Sequence, residues 1–89
     1  MATVFFTANL HRHVDCPVTE AAGATVGEVL DAVFAMNPRL KSYVVDDQGA
    51  VRKHMGIIVD GTVLADRAKL TDKVDPLSRI HVLQALSGG

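Results

Sequence analysis

Val26, Val29, Leu30, Val33 and Phe34 fall at i, i+3, i+4, i+7 and i+8, which is a single apolar stripe along one helix. Directly ahead of the stripe, Thr25-Val26-Gly27-Glu28 has the residues of a capping box. In that box the Thr25 hydroxyl accepts from the amide of residue 28, and the Glu28 side chain reaches back toward the start of the helix. Glu28 and Asp31 then sit near the positive end of the helix dipole, where acidic groups are favourable. Asn37-Pro38 ends the helix, because a residue preceding proline avoids the helical region. A stripe this narrow has to be covered. The stretches on either side alternate apolar and polar residues with a period of two, so the cover is a sheet.

The strands follow from that alternation. In residues 3–10, Val4, Phe6, Ala8 and Leu10 face one side, and Phe5, Thr7 and Asn9 face the other. His11-Arg12-His13 reads as a turn. Val14, Cys16 and Val18 resume the alternation as a second strand, placed at a sheet edge because Pro17 has no amide to donate. After the helix, residues 40–45 are expected to form a short strand, strongest at Tyr43-Val44-Val45. Asp46-Asp47-Gln48-Gly49 has turn chemistry. Residues 51–59 read as a strand, strongest at Met55-Gly56-Ile57-Ile58-Val59. Asp60-Gly61 is a tight hairpin signal, with Thr62-Val63-Leu64 as the return. Residues 65–79 are irregular, with Leu70 and Leu77 as expected buried anchors and a bend at Asp75-Pro76. The last strand starts at Arg79 or Ile80 and runs to about Leu86. Right-handed crossovers place it parallel to the first strand at the sheet centre. The expected architecture is α+β: a β-grasp, with a mixed sheet of four to five strands and one main helix packed across one face.

At 89 residues the chain has length for one core and reads as one domain, 1–89. It is 48% hydrophobic and 21% charged, a globular balance. A net charge of −1, without a basic cluster, argues against a nucleic-acid partner. The single cysteine, Cys16, cannot close an internal disulfide and fits a reducing compartment. No apolar run approaches the roughly 18–20 residues of a membrane span, and no signal peptide is evident, so a cytoplasmic location is expected.

The chain closes on Ser87-Gly88-Gly89. Glycines weaken a strand, so Gly88 and Gly89 contribute little to folding. They suit a thin, flexible tail, residues 87–89, that passes close to another protein's backbone. From Leu86 to Gly89 the chain spans roughly 13 Å when extended, at about 3.3 Å per residue.

Three features together resemble the ubiquitin-like sulfur-carrier family, the MoaD/ThiS group. They are the opening hairpin with its capped helix, the segment Ile57-Ile58-Val59-Asp60-Gly61, and the final strand followed by Ser87-Gly88-Gly89. The resemblance spans essentially the whole chain and implies an ubiquitin-like β-grasp. It also implies a mechanism. An E1-like adenylyltransferase uses ATP and magnesium to adenylate the Gly89 carboxylate. A persulfide or sulfide then displaces AMP, and the resulting thiocarboxylate gives its sulfur to a downstream accepting enzyme in cofactor, thiamine, molybdopterin or cysteine-type biosynthesis. In this reading the chain is a co-substrate, with no catalytic residues and no cofactor or metal of its own. Ubiquitin carries basic residues before its final glycines, whereas Gln84-Ala85-Leu86-Ser87 is neutral, which argues against the ubiquitin activation pathway. A protein modifier joined to lysines through the same glycine, and a β-grasp interaction module, are the alternatives.

The remaining candidates are weaker. The helix covers one sheet face, so apolar residues on the other face are candidates for partner docking: Phe5, Ile57, Leu83 and Leu86. Their membership depends on register, because a slip of one residue reverses the face. His11 and His13 have no Cys or acidic partner at metal-ligand spacing and read as turn residues. Cys16, flanked by Val14 and Val18, reads as a buried structural thiol. His54 and His81 are expected in strands, in solvent-facing or hydrogen-bonded roles. Lys41, Lys53, Lys69 and Lys73 read as solvated charges.

Overall fold

The computed structural model describes residues 1–7 and 17–84. In chain order the elements are β1 (Ala2–Phe6), β2 (Thr19–Ala21), α1 (Val26–Met36), α2 (Pro38–Val44), β3 (Met55–Val59), β4 (Thr62–Val63) and β5 (Arg79–Gln84). The five strands form one sheet in the order β2-β1-β5-β3-β4. β1 and β5 are parallel neighbours, as expected, and the other pairings are antiparallel.

Helix α1 forms where its stripe and cap require. Thr25 is the N-cap, and its hydroxyl accepts from the Glu28 amide at 3.2 Å. The Glu28 carboxylate reaches one residue further back than the usual box and accepts from the Ala24 amide at 3.1 Å. Two further amides of the first turn are satisfied from outside the helix: Val26 N–H donates to Asp72 O and Gly27 N–H to Leu70 O, both at 2.9 Å. The irregular 65–79 segment therefore closes the end of α1. Glycine at 27 allows that close approach, since a Cβ there would stand 3.2 Å from Leu70 O. All five stripe residues are buried, each contributing about 1.5–3 kcal/mol. They pack with Val4, Ile57, Ile80 and Val82 from the sheet, all fully buried.

The second strand lies at Thr19–Ala21, later than expected, with Val18 exposed ahead of it. It occupies the sheet edge, but Pro17, the ground for expecting an edge, lies outside the strand. Val14 and Cys16, and the expected continuation of the first strand through residues 8–10, lie outside the described residues.

The expected strand over residues 40–45 is instead a helix. Asn37 does end α1, its amide bonding Val33 O and Phe34 O. Pro38 then opens α2 at its first position, where its fixed φ suits a helix and its missing amide costs nothing. Leu40 and Val44, four residues apart, share one helical face and are fully buried. The β-branched pair Val44-Val45 points to a strand, but only Val45 adopts extended backbone, where it bridges to Val51.

The turns at Asp46-Asp47-Gln48-Gly49 and Asp60-Gly61 are as expected. The Asp46 carboxylate accepts from the amides of Gln48 and Ala50, and Gly49 takes a positive φ of 83°. Asp60 and Gly61 both have positive φ, 50° and 84°, the signature of a two-residue type I′ hairpin. Strand β3 is confined to the strongest part of its expected range. Leu70 is buried, but Leu77 is 89% exposed rather than an anchor. The Asp75 side chain accepts from the Leu77 amide at 2.7 Å, closing a turn that carries Leu77 outward and Ser78 inward. Ser78 donates its hydroxyl to the Asp60 carboxylate at 2.8 Å and accepts from the Asp75 amide at 2.9 Å.

Candidate functional site: the open sheet face and the end of β5

Register decides what the uncovered face presents. Val82 and Ile57 are directly opposite, both fully buried, so their neighbours in each strand point away from the helices. One cross-strand row then runs Val63, Ile58, His81, Phe5, built from the pairs Ile58↔Val63, Ile58↔His81 and Phe5↔His81. The next row holds Gly56 opposite Leu83. At the far end of the face are Arg79, Thr3 and Glu20. The face is therefore apolar toward the end of β5 and charged toward its start.

Phe5 and Leu83 sit half-buried on this face. Ile57 does not belong to it: its side chain is fully buried in the core, and Ile58 takes the outward position. The Asp60-Gly61 hairpin sets the pairing, Val59 with Thr62 and Ile58 with Val63, and the burial of Ile57 then turns Ile58 and Val63 outward together. That hairpin was legible in the sequence, and its register places Ile58 and Val63 on one face without saying which face is the open one. His81 is half-buried, its ring stacked on Phe5 with centroids 4.7 Å apart and planes 12° apart. His54 is exposed in the turn before β3, not in a strand. Lys41, Lys53, Lys69 and Lys73 are exposed.

The last described residue is Gln84, at the end of the strand held between β1 and β3. Parallel pairing continues past Phe6, with Thr7 N–H donating to Val82 O at 3.1 Å. Leu86, Ser87, Gly88 and Gly89 lie outside the described residues, as do His11 and His13. Among the described residues no three His, Cys, Asp or Glu side chains are placed to hold a metal ion, and no helix is long and apolar enough to cross a membrane.

Two carboxylates are held below the usual range. The Arg79 amide and the Ser78 hydroxyl, each at 2.8 Å, stabilise ionised Asp60 against an opposing effect of burial. The Thr71 hydroxyl at 2.6 Å and the Lys69 amide at 3.0 Å do the same for Asp66. Asp60 ties the hairpin to the start of β5, and Asp66 holds the 66–71 loop on itself.

A mixed five-stranded sheet, with parallel β1 and β5 at its centre and α1 across one face, defines an ubiquitin-like β-grasp. This is the fold of the MoaD/ThiS-type sulfur carriers that the sequence resembles. Among solved structures, a chain of the BexX/CysO complex from Amycolatopsis orientalis superposes with a TM-score of 0.83 at 24% identity, covering 100% of each chain. SAMP1 from Haloferax volcanii gives 0.78 at 25% identity, over 99% of this chain and 98% of that one. CysO from Mycobacterium tuberculosis gives 0.80 at 19% identity, over 97% and 100%. No protein-family model and no curated protein matches the sequence.

Proposed function

We propose that this chain is a sulfur carrier that works through its terminal carboxylate. An oxygen of the Gly89 carboxylate attacks the α-phosphorus of ATP held with magnesium by an E1-like adenylyltransferase, and pyrophosphate leaves. The product is an acyl-adenylate, whose AMP is a good leaving group where the carboxylate oxygen was not. Sulfide attacks the acyl carbon, the bond to AMP breaks, and a thiocarboxylate remains. A persulfide donor would first give an acyl disulfide, which a second thiol must cleave. The thiocarboxylate then passes its sulfur to an accepting enzyme. The carrier itself supplies a slim end and a docking face. Proximity does the rest: a bound partner turns a bimolecular attack into a local one.

The observation that carries the reading is the junction at β5. The central strand of a β-grasp is described to Gln84, at the apolar end of the open face, and the sequence goes on from there to Ser87-Gly88-Gly89, so an enzyme could hold the body on that face while taking the end. Likeness to CysO, one of whose solved structures is a complex with BexX, supports partner binding as the mode of action. A second reading, conjugation to lysine amines, is favoured by the likeness to SAMP1, the small archaeal modifier protein 1. One experiment separates them. The full chain is incubated with ATP, sulfide and an extract of its native host, and its intact mass is measured. A gain equal to one sulfur replacing one oxygen, absent from a chain lacking Gly89, is the expected result. Ladders of chain joined to other proteins, with no such gain, would replace the carrier reading with the modifier one.

A further inference from the structure

The open face contains a gap that the fold itself does not require. Gly56 lies inside β3, paired with Leu83 in an unbroken register between Met55↔Gln84 and Ile57↔Val82, so it marks no bulge. It is absent from the positive-φ glycines, Gly49 and Gly61, so no turn demands it. A Cβ at this position would meet nothing within 4 Å, so no neighbour crowds it out. By contrast, Cβ atoms at Gly23 and Gly27 would press on Val29 N and Leu70 O. A glycine inside a strand costs about 0.5–1 kcal/mol relative to alanine. Here it also leaves Leu83 without a side chain opposite it on β3. With bulge, bend and crowding set aside, the remaining physical use of a strand glycine is close approach by another molecule.

The surroundings say what kind. Gly56 is bordered on its face by Leu83 across the strands and Ile58 along its own strand, with His81 and Phe5 beyond. The face's charged residues, Arg79 and Glu20, are at the opposite end of the sheet. Gly89 lies six positions beyond Leu83 in the sequence, a reach of about 20 Å at most. A protein that grips the terminal carboxylate therefore stands within about 20 Å of Leu83, a range that includes this apolar end of the face.

We propose that Gly56 is the point of closest approach for the enzyme that takes the tail, and that this enzyme lays an apolar side chain flat on the Gly56 backbone between Leu83 and Ile58. This rests on the sulfur-carrier reading. The test compares full-length wild type, Gly56→Ala, Gly56→Val and, as a control on the helix side, Met36→Ala. Each is melted, then titrated into native-host extract with ATP and sulfide, and the initial rate of sulfur-for-oxygen mass gain is followed. The Gly56 variants are expected to melt at or above the wild-type temperature, since valine favours strands and nothing blocks it. For Gly56→Val the carrier concentration at half-maximal rate should rise by about tenfold or more, the size of one central contact, with the plateau retained. Gly56→Ala should fall between, and Met36→Ala should match wild type. If Gly56→Val is charged like wild type, or melts well below it, the close-approach proposal is wrong while the carrier reading stands. If wild type itself gains no sulfur, the carrier reading fails and takes this proposal with it.

Discussion

Ile57 and Ile58 are adjacent, identical in side chain and opposite in consequence, and they test the register directly. Ile57 is fully buried between the sheet and the helices, while Ile58 stands half-buried on the open face. Truncating a fully buried isoleucine to alanine costs about 2–5 kcal/mol, through lost transfer energy and the cavity left behind. A chain of this length is expected to be stable by about 4–13 kcal/mol, so Ile57→Ala removes a large share and risks unfolding. Ile57→Val is the safer probe at about 0.5–1.5 kcal/mol, or a loss of about 2–12 °C in Tm for a domain of this size. On the open face valine is as good a strand former as isoleucine, so Ile58→Val should cost less than about 0.5 kcal/mol. Urea unfolding followed by circular dichroism reads both, with the same slope expected because the exposed area barely changes. An Ile58→Val loss equal to or larger than that of Ile57→Val would mean that β3 is turned over, and the whole open face would be assigned wrongly.

Gly23→Ala should destabilise by about 1–3 kcal/mol through overpacking, because the new Cβ would lie 2.7 Å from Val29 N and 2.9 Å from Glu28 Cβ; an unchanged melting temperature would count against the packing at the start of α1. The lowered pKa values of Asp60 and Asp66 predict acid sensitivity. Each contributes stability that is present above the ordinary aspartate value of 3.8 and is lost as pH falls through the lower folded value. The urea midpoint should therefore fall below about pH 4, and Asp60→Asn should lower it at neutral pH while flattening that acid limb. An acid limb equally steep in Asp60→Asn would show that its hydrogen bonds to Ser78 and Arg79 do not matter.

The fold was legible in outline because its strongest signals are local. The capping box, the five-residue stripe and the Asp60-Gly61 hairpin each follow from backbone sterics and side-chain period and are found where expected, as is the alternation of β1 over its described part. The strand expected over residues 40–45 failed because two local signals conflicted. Tyr43-Val44-Val45 favours a strand, while Pro38 with Leu40 and Val44 favours a helix. Burial of Leu40 and Val44 against α1 and the sheet decides it, and burial is not a property of the segment alone. Leu77 failed for the same reason: an apolar residue is buried only if the turn that carries it points inward, and the Asp75 turn points it out.

By itself the sequence determined the fold class and the parallel central pair. These depend on periodicity, on proline and glycine geometry, and on chain order. Only the tertiary structure decided which residues share the uncovered face. Period-two alternation divides a strand into two sets without saying which set meets the helix; that is settled when Ile57, Ile80 and Val82 bury together against α1, leaving Ile58, His81, Phe5 and the bare backbone of Gly56 outside.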